Sequence, residues 1–275
     1  MQTKFMIIAG LVALVIIGLF IISRANIHAS STWSKFLLAG ISLVFGTSAS
    51  AAQWDKDEFV KFDADKGANM QILIIGANGS VAKWTIEGFL QSTNANLKLY
   101  LRNSNRLAKV AQQYPQRVQL VEGSATDKNA LKNAMKGVDV VYANLAGDLE
   151  TMARAITEAM KETNVKRLIW ISSYGVYQKE YREIPSGWGS GNGAPKEYVE
   201  SVKIIEASGL DYTIIRPQWF SSLDEIDYEL TKKGEAFKNP DAQISRKSIA
   251  HLVIRLCLEP NFGVRESFGI NKPAK

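Results

Sequence analysis

QILIIGANGSVA, residues 71–82, is the stretch that decides the fold. Gln71–Ile75 is a short β-rich run, apolar after its first residue, as suits a strand buried on both faces of a parallel sheet. The run stops at Gly76, and Gly76-Ala77-Asn78-Gly79-Ser80-Val81 leads into a helical stretch from Ser80 to about Leu90. Gly76 permits a tight turn, Gly79 lets a pyrophosphate approach the backbone, and Ala82 is small enough for the helix to pack on the strand. The helix N-terminus supplies N–H donors and the positive end of a dipole to phosphate oxygens. Strand, glycine turn and helix in this order point to dinucleotide binding over turn chemistry alone.

The same alternation continues outward from this unit. Leu97–Leu101, Val118–Val121, Val138–Tyr142, Arg167–Ser172 and Tyr212–Arg216 read as strands. Between them Arg106–Gln113, Lys128–Met135, Leu149–Thr163 and Glu197–Ala207 read as helices, and Ser245 caps a last helix through about Leu258. Glu266–Ile270 reads as an edge strand. Repeated strand–helix alternation with short connections predicts an α/β fold, a doubly wound parallel sheet of the Rossmann kind. Residues 179–195, rich in Gly, Ser and Pro, form a long loop expected at the carboxyl ends of the strands, where ligands bind.

The end of the second strand separates the two dinucleotides. An acid there holds the ribose hydroxyl of NAD, whereas an arginine accommodates the 2′-phosphate of NADP. The stretch Tyr100-Leu101-Arg102-Asn103-Ser104-Asn105-Arg106 contains no acid. Arg102 stands where a bidentate phosphate contact is geometrically reasonable, so NADP(H) is favoured over NAD(H). The alternative for Arg102 is a solvated surface charge.

ILIIGANGSVAK, LYLRNSNRL, VVYANLAG, RLIWISSYGVY and SGLDYTIIRP occur in that order. Together they resemble the atypical short-chain dehydrogenases/reductases, the NAD(P)H-binding or NmrA-like proteins, across essentially all of residues 70–275. The resemblance implies that the loop from Gly76 through Ala77, Asn78, Gly79 and Ser80 to Val81 holds the pyrophosphate. It assigns the phosphoribose to Arg102 and Asn103, and the neighbourhood of the adenine to Ser124 and Ala125. Asn144, Ala146 and Gly147 would flank the cofactor after the fourth strand. Ser124 departs from the family, which usually has Asp there, and this puts the adenine contact in doubt.

Short-chain reductases use a Tyr as general acid, a Lys that lowers its pKa, and a Ser that orients the carbonyl. Ser173, at the end of the fifth strand, matches the serine, and Tyr198 is the natural tyrosine. The usual Tyr-x-x-x-Lys spacing puts both side chains on one helix face. Here that position is Val202, and Lys203 lies about 140° around the helix from Tyr198. The dyad is therefore broken or rearranged, with Lys196 the other lysine within reach if the helix begins later. A semi-buried helix aromatic at Tyr198 and a solvated Lys203 remain the alternative. Trp219 and Phe220, after the sixth strand, fit either a pocket wall or packing at the sheet edge.

Composition excludes several classes. The chain of 275 residues is 46% hydrophobic and 22% charged, ordinary for a globular protein. Residues 1–52 hold Lys4, Arg24 and Lys35 and no acid, so the formal +6 falls to +3 over the remainder. That balance argues against a nucleic-acid surface. Cys257 is the sole cysteine and His28 and His251 the sole histidines, which leaves no disulfide framework, no expected metal site and no Ser-His-Asp triad.

The N-terminal part reads separately. Phe5–Ile22 is 18 consecutive uncharged residues, the length of a transmembrane segment, which predicts a span within residues 1–23. Residues 24–69 hold a second, shorter apolar run, Phe36–Gly46, a signal-like Ala49-Ser50-Ala51, and a charge-dense linker. The expectation is membrane attachment with the domain at 70–275 facing the cytoplasm, export being the alternative. The sequence thus predicts an NADP(H)-dependent oxidoreductase or epimerase acting on a small organic substrate. The competing readings are a non-catalytic NADP(H) redox sensor and a membrane-associated scaffold.

Overall fold

Alternate residues of β1 (Gln71–Ile75) enter opposite layers: Ile72 and Ile74 pack into one core, Leu73 and Ile75 into the other. All four are fully buried, which is why the strand reads as an uninterrupted apolar run. The computed structural model describes residue 62, residues 64–177 and residues 194–274. Phe5–Ile22, Phe36–Gly46, Ala49-Ser50-Ala51 and nearly all of the loop at 179–195 lie outside the described residues. Among the described residues, no helix is long and apolar enough to cross a membrane.

Following β1 in chain order come α1 (Ser80–Ser92), β2 (Asn96–Leu101), α2 (Ala108–Gln113), β3 (Val118–Glu122), α3 (Lys128–Ala134) and β4 (Val140–Ala143). Then come α4 (Leu149–Thr163), β5 (Arg167–Ile171), α5 (Lys196–Glu206), β6 (Asp211–Pro217), β7 (Phe220–Ser221) and β8 (Glu229–Thr231). The last elements are β9 (Ile244–Ser245), α6 (Arg246–Leu258) and β10 (Glu266–Asn271). The main sheet runs β3-β2-β1-β4-β5-β6-β10-β8, parallel except for β8. Its order reverses between β1 and β4, the topological switch point at which such sheets open a crevice. Helices α1 and α6 cover one face; α3, α4 and α5 cover the other.

Two details differ from the sequence expectation. Glu266–Ile270 is not an edge: β10 lies between β6 and β8, with Gly269 opposite Thr231. The covering strand is only three residues long, too short to carry an alternating pattern, and the side-chain amide of Asn271 donates to the Glu229 carbonyl to hold it (3.0 Å). The packing also reaches upstream of Met70. A 3-10 turn spans Ala64–Gly67, and Phe62 stacks on His251 at 5.2 Å between ring centres.

Helix starts are set by local chemistry. Asp127, Asp148 and Ser245 cap α3, α4 and α6, each accepting a backbone N–H three residues on. At the head of α1, Gly79 has no side chain to offer, and the first turn holds no acid. Its leading N–H groups are left to whatever fills the space in front of them.

Candidate functional site

A cleft of about 600 Å³ opens at the carboxyl ends of β1 to β5, within the range of cofactor sites. The glycine turn forms its floor. Gly76 takes a φ of +80°, and its N–H donates to the Tyr100 carbonyl of β2 at 3.0 Å. Asn144 follows β4 and donates its N–H to the Ile75 carbonyl at 2.9 Å, so its backbone crosses directly over Gly76. A Cβ on Gly76 would overlap the Asn144 carbonyl oxygen, so glycine is required there by both conformation and space. At Gly79 the Asn144 side-chain amide occupies the place where a Cβ would stand.

One end of the cleft is basic. Arg102 and Arg106 both line it, with Asn103 between them. Arg102 is the arginine the sequence points to; Arg106 looks in sequence like an ordinary surface charge four residues on. Ser124 and Ala125 line the same end. The Ser124 hydroxyl lies 2.8 Å from that of Thr126, and its carbonyl accepts the Tyr100 hydroxyl at 2.8 Å. Burial, with Asp127 nearby, pushes the Tyr100 phenol to about 12, so it serves here as a neutral strut.

The other end carries apolar walls and two hydroxyls. Leu145, Ala146, Met152, Ile171 and Phe220 line it together with Ser172 and Tyr198. Of the two aromatics left open by the sequence, Phe220 reaches the cleft through the small β7–β9 sheet, and Arg246 stacks on its ring at 5.3 Å. Trp219 is partly exposed and meets the edge of Tyr174.

Ser172 is only 4% exposed, and its hydroxyl has no hydrogen-bond partner among the described residues. A buried hydroxyl in that state is costly unless a ligand satisfies it. Ser173, the sequence candidate, is buried beside it but donates its hydroxyl to the Tyr174 carbonyl at 3.0 Å and does not line the cleft.

Tyr198 stands in the first turn of α5 and lines the cleft, half-buried. Burial raises its phenol above the ordinary value, and the adjacent Glu197 raises it further. The residue one turn on, Val202, is buried at 2% exposure. Lys203 is exposed and paired with Glu200 at 2.8 Å, and neither it nor the exposed Lys196 lines the cleft. Among the described residues no lysine lies in the place that would lower the tyrosine's pKa. Of the sequence-assigned cofactor residues, Ala77 and Val81 are core residues that shape the turn from behind. Gly147 is exposed at a φ of +100°, in the turn leading to α4.

The donor set fits a nicotinamide dinucleotide: an uncapped helix start, a turn with glycine at both ends, two arginines, and a buried hydroxyl lacking a partner among the described residues. The profile of the NAD(P)H-binding family matches residues 76–260, the turn through the last helix. The chain belongs to this family of atypical short-chain dehydrogenases/reductases. Within it, the Bacillus subtilis protein named uncharacterized sugar epimerase YhfK is 30% identical over 165 residues, 54% of this chain and 71% of that relative. The isoflavone reductase homolog A622 of Nicotiana tabacum is 29% identical over 159 residues, of which this chain spans about half the length (49%).

Solved structures agree. A Rossmann-fold NAD(P)-binding family protein from Shigella flexneri is 37% identical with a TM-score of 0.62, covering 75% of this chain and 95% of its own. A short-chain dehydrogenase/reductase from Veillonella parvula, solved in complex with NADP, is 25% identical with a TM-score of 0.66, covering 74% and 95%. Against the family's tyrosine–lysine pattern, Val202 is this member's departure.

Proposed function

We propose that this protein is an NADPH-dependent reductase of conjugated carbonyl compounds, quinones or enones. The observation that carries the reading is a single cleft with arginines at one end and the unpartnered Ser172 hydroxyl beside Tyr198 at the other. Arg102 and Arg106 bind the 2′-phosphate and so select NADPH over NADH. The N–H groups at the start of α1 take the pyrophosphate, with Asn144 beside it. NADPH, when bound, supplies the hydride. Ser172 donates a hydrogen bond to the substrate carbonyl oxygen and gains the partner it lacks. Tyr198 delivers the proton that completes the reduction and recovers one from solvent.

The missing lysine restricts the substrate. Reduction of a simple ketone develops a strongly basic alkoxide and calls for a proton donor with a lowered pKa. Tyr198 has the opposite shift, from burial and Glu197. A quinone or enone instead spreads the incoming charge over a conjugated system, and hydrogen bonds from two neutral hydroxyls suffice for it. The apolar walls at Met152 and Phe220 suit a flat, unsaturated body.

The test is NADPH consumption by the full-length protein with a quinone and enone panel beside saturated ketones. Turnover of saturated ketones alone refutes the substrate class. Absence of any turnover with NADPH tightly bound favours the second reading, an NADP(H) sensor, for which the buried Val202 in place of a lysine is the supporting observation. Phe5–Ile22 would attach the domain to a membrane, facing a compartment that contains NADP(H).

A further inference from the structure

One arginine of the cleft, Arg106, sits on a turn with few anchors, and the other, Arg102, lies just before it at the end of β2. Ser104–Leu107 is a single 3-10 turn, and Asn103 before it provides no side-chain cap. Arg102, Asn103, Asn105 and Arg106 are exposed, and Leu107 pins the far end by burial. The near end is held by one acid. The backbone N–H of Ser104 donates to Glu122 Oε2 at 3.1 Å, and the Ser104 hydroxyl donates to the same oxygen at 2.8 Å.

Glu122 is the last residue of β3 and stands in register with Leu101, the last residue of β2 and the neighbour of Arg102. The carboxylate therefore ties the start of the arginine turn to a rigid strand end. Both donors hold its carboxyl below the ordinary range. Its chain neighbour Gly123 lines the cleft, while Glu122 itself does not.

We infer that Glu122 is a positioning residue for cofactor choice: by accepting both Ser104 donors it fixes the turn that presents Arg102 and Arg106 to a 2′-phosphate. This rests on the reading of those arginines as the phosphate site. An acid near a phosphate site would ordinarily oppose binding. Here one of its two oxygens accepts both Ser104 donors, and that acceptor, rather than the negative charge, is what the site uses.

Three proteins decide the matter: wild type, Glu122→Gln and Glu122→Ala, each full length. NADPH and NADH affinities are measured by calorimetry, and trypsin cleavage after Arg102 and Arg106 is timed without cofactor. The amide oxygen of glutamine still accepts from Ser104, so Glu122→Gln keeps the preference for NADPH and the slow cleavage. Glu122→Ala lowers NADPH affinity by about tenfold, the scale of one hydrogen bond to a charged group, with NADH nearly unchanged. It also speeds cleavage at both arginines.

Unchanged cleavage and an unchanged NADPH-to-NADH ratio in Glu122→Ala overturn the inference. Equal loss in Glu122→Gln and Glu122→Ala also overturns it, because the charge would then be the active feature. A wild type that binds both cofactors equally refutes the phosphate reading, and the selectivity role with it. The cofactor-free cleavage rates would still report separately whether the strut holds the turn.

Discussion

Replacing Gly76 or Gly79 with alanine makes the same chemical change three residues apart, and the two outcomes should be opposite. At Gly76 the φ of +80° costs an L-residue about 1–2 kcal/mol. The added Cβ would also overlap the Asn144 carbonyl oxygen and lie 3.1 Å from its carbon. That backbone cannot swing aside, because the Asn144 N–H bonds to Ile75 across the β1–β4 pair. Prying the strand ends apart adds about 1–3 kcal/mol, as overpacking does elsewhere. Gly76→Ala should therefore lose about 2–5 kcal/mol, a large part of the roughly 5–15 kcal/mol that a domain has.

Gly79 has an ordinary φ of −63°, and its Cβ would overlap the movable end of the Asn144 side chain and lie 3.2 Å from the Gly76 carbonyl oxygen, a contact relieved by a few tenths of an ångström. Gly79→Ala should stay within about 1 kcal/mol of wild type, since alanine also restricts the unfolded chain. It should nonetheless weaken NADPH binding by about tenfold or more, because the methyl and the displaced amide stand where the pyrophosphate approaches. Urea unfolding with an unchanged slope reads the first quantity and calorimetry the second. A Gly76→Ala midpoint equal to wild type, or a Gly79→Ala loss as large as that of Gly76→Ala, would refute the reasoning.

Arg102→Ala and Arg106→Ala should each cost NADPH about 1.5–3 kcal/mol of binding and leave NADH nearly unchanged; equal effects on both cofactors would remove that arginine from the phosphate site. Ser172→Ala should cut turnover more than Ser173→Ala, since the second hydroxyl is already spent on the Tyr174 carbonyl; the reverse order in kcat/KM returns the role to Ser173. Tyr198→Phe should abolish turnover with NADPH affinity kept. Because burial raises the phenol above its ordinary 10.0, wild-type activity should persist to that pH and fall only above it as the proton donor is lost. Protease treatment of intact cells or spheroplasts should leave residues 70–275 uncut; digestion without lysis places the domain outside and refutes the proposed orientation.

The fold was legible because its signals are local. Ile72 to Ile75 are buried on both faces and show it as an unbroken apolar run, while Asp127, Asp148 and Ser245 mark helix starts by their own side chains. β8 and β7 were not legible. They are three and two residues long, and they exist because β10 and β9 offer them partners across the sheet. Pairing of that kind is a tertiary fact with no period in the sequence. The placement of β10 inside the sheet follows from β8, so it was missed with it.

At the site, the readable parts were those whose chemistry lies in the backbone. Gly76 and Gly79 announce themselves because no other residue tolerates the turn and the approach together. Arg106 and Glu122 are indistinguishable in sequence from solvated charges. Only the turn at Ser104–Leu107 brings one to the cleft and ties the other to its base. Ser172 and Ser173 are harder still: both follow the end of β5 and both are buried, and only the Tyr174 carbonyl, which accepts the Ser173 hydroxyl, decides which one is left over.

The same logic bears on the absent lysine. A lysine at position 202 would have to share the face of α5 that carries Tyr198, but Val202 is packed into the core beneath that helix. Val202→Lys would bury an ammonium in this apolar core, so restoring the dyad by that single change should unfold the protein before it lowers the tyrosine's pKa. In this chain the departure is built into the packing of the helix as well as into its sequence. A reductase working here must rely on an unassisted phenol, which is the physical ground for preferring conjugated acceptors.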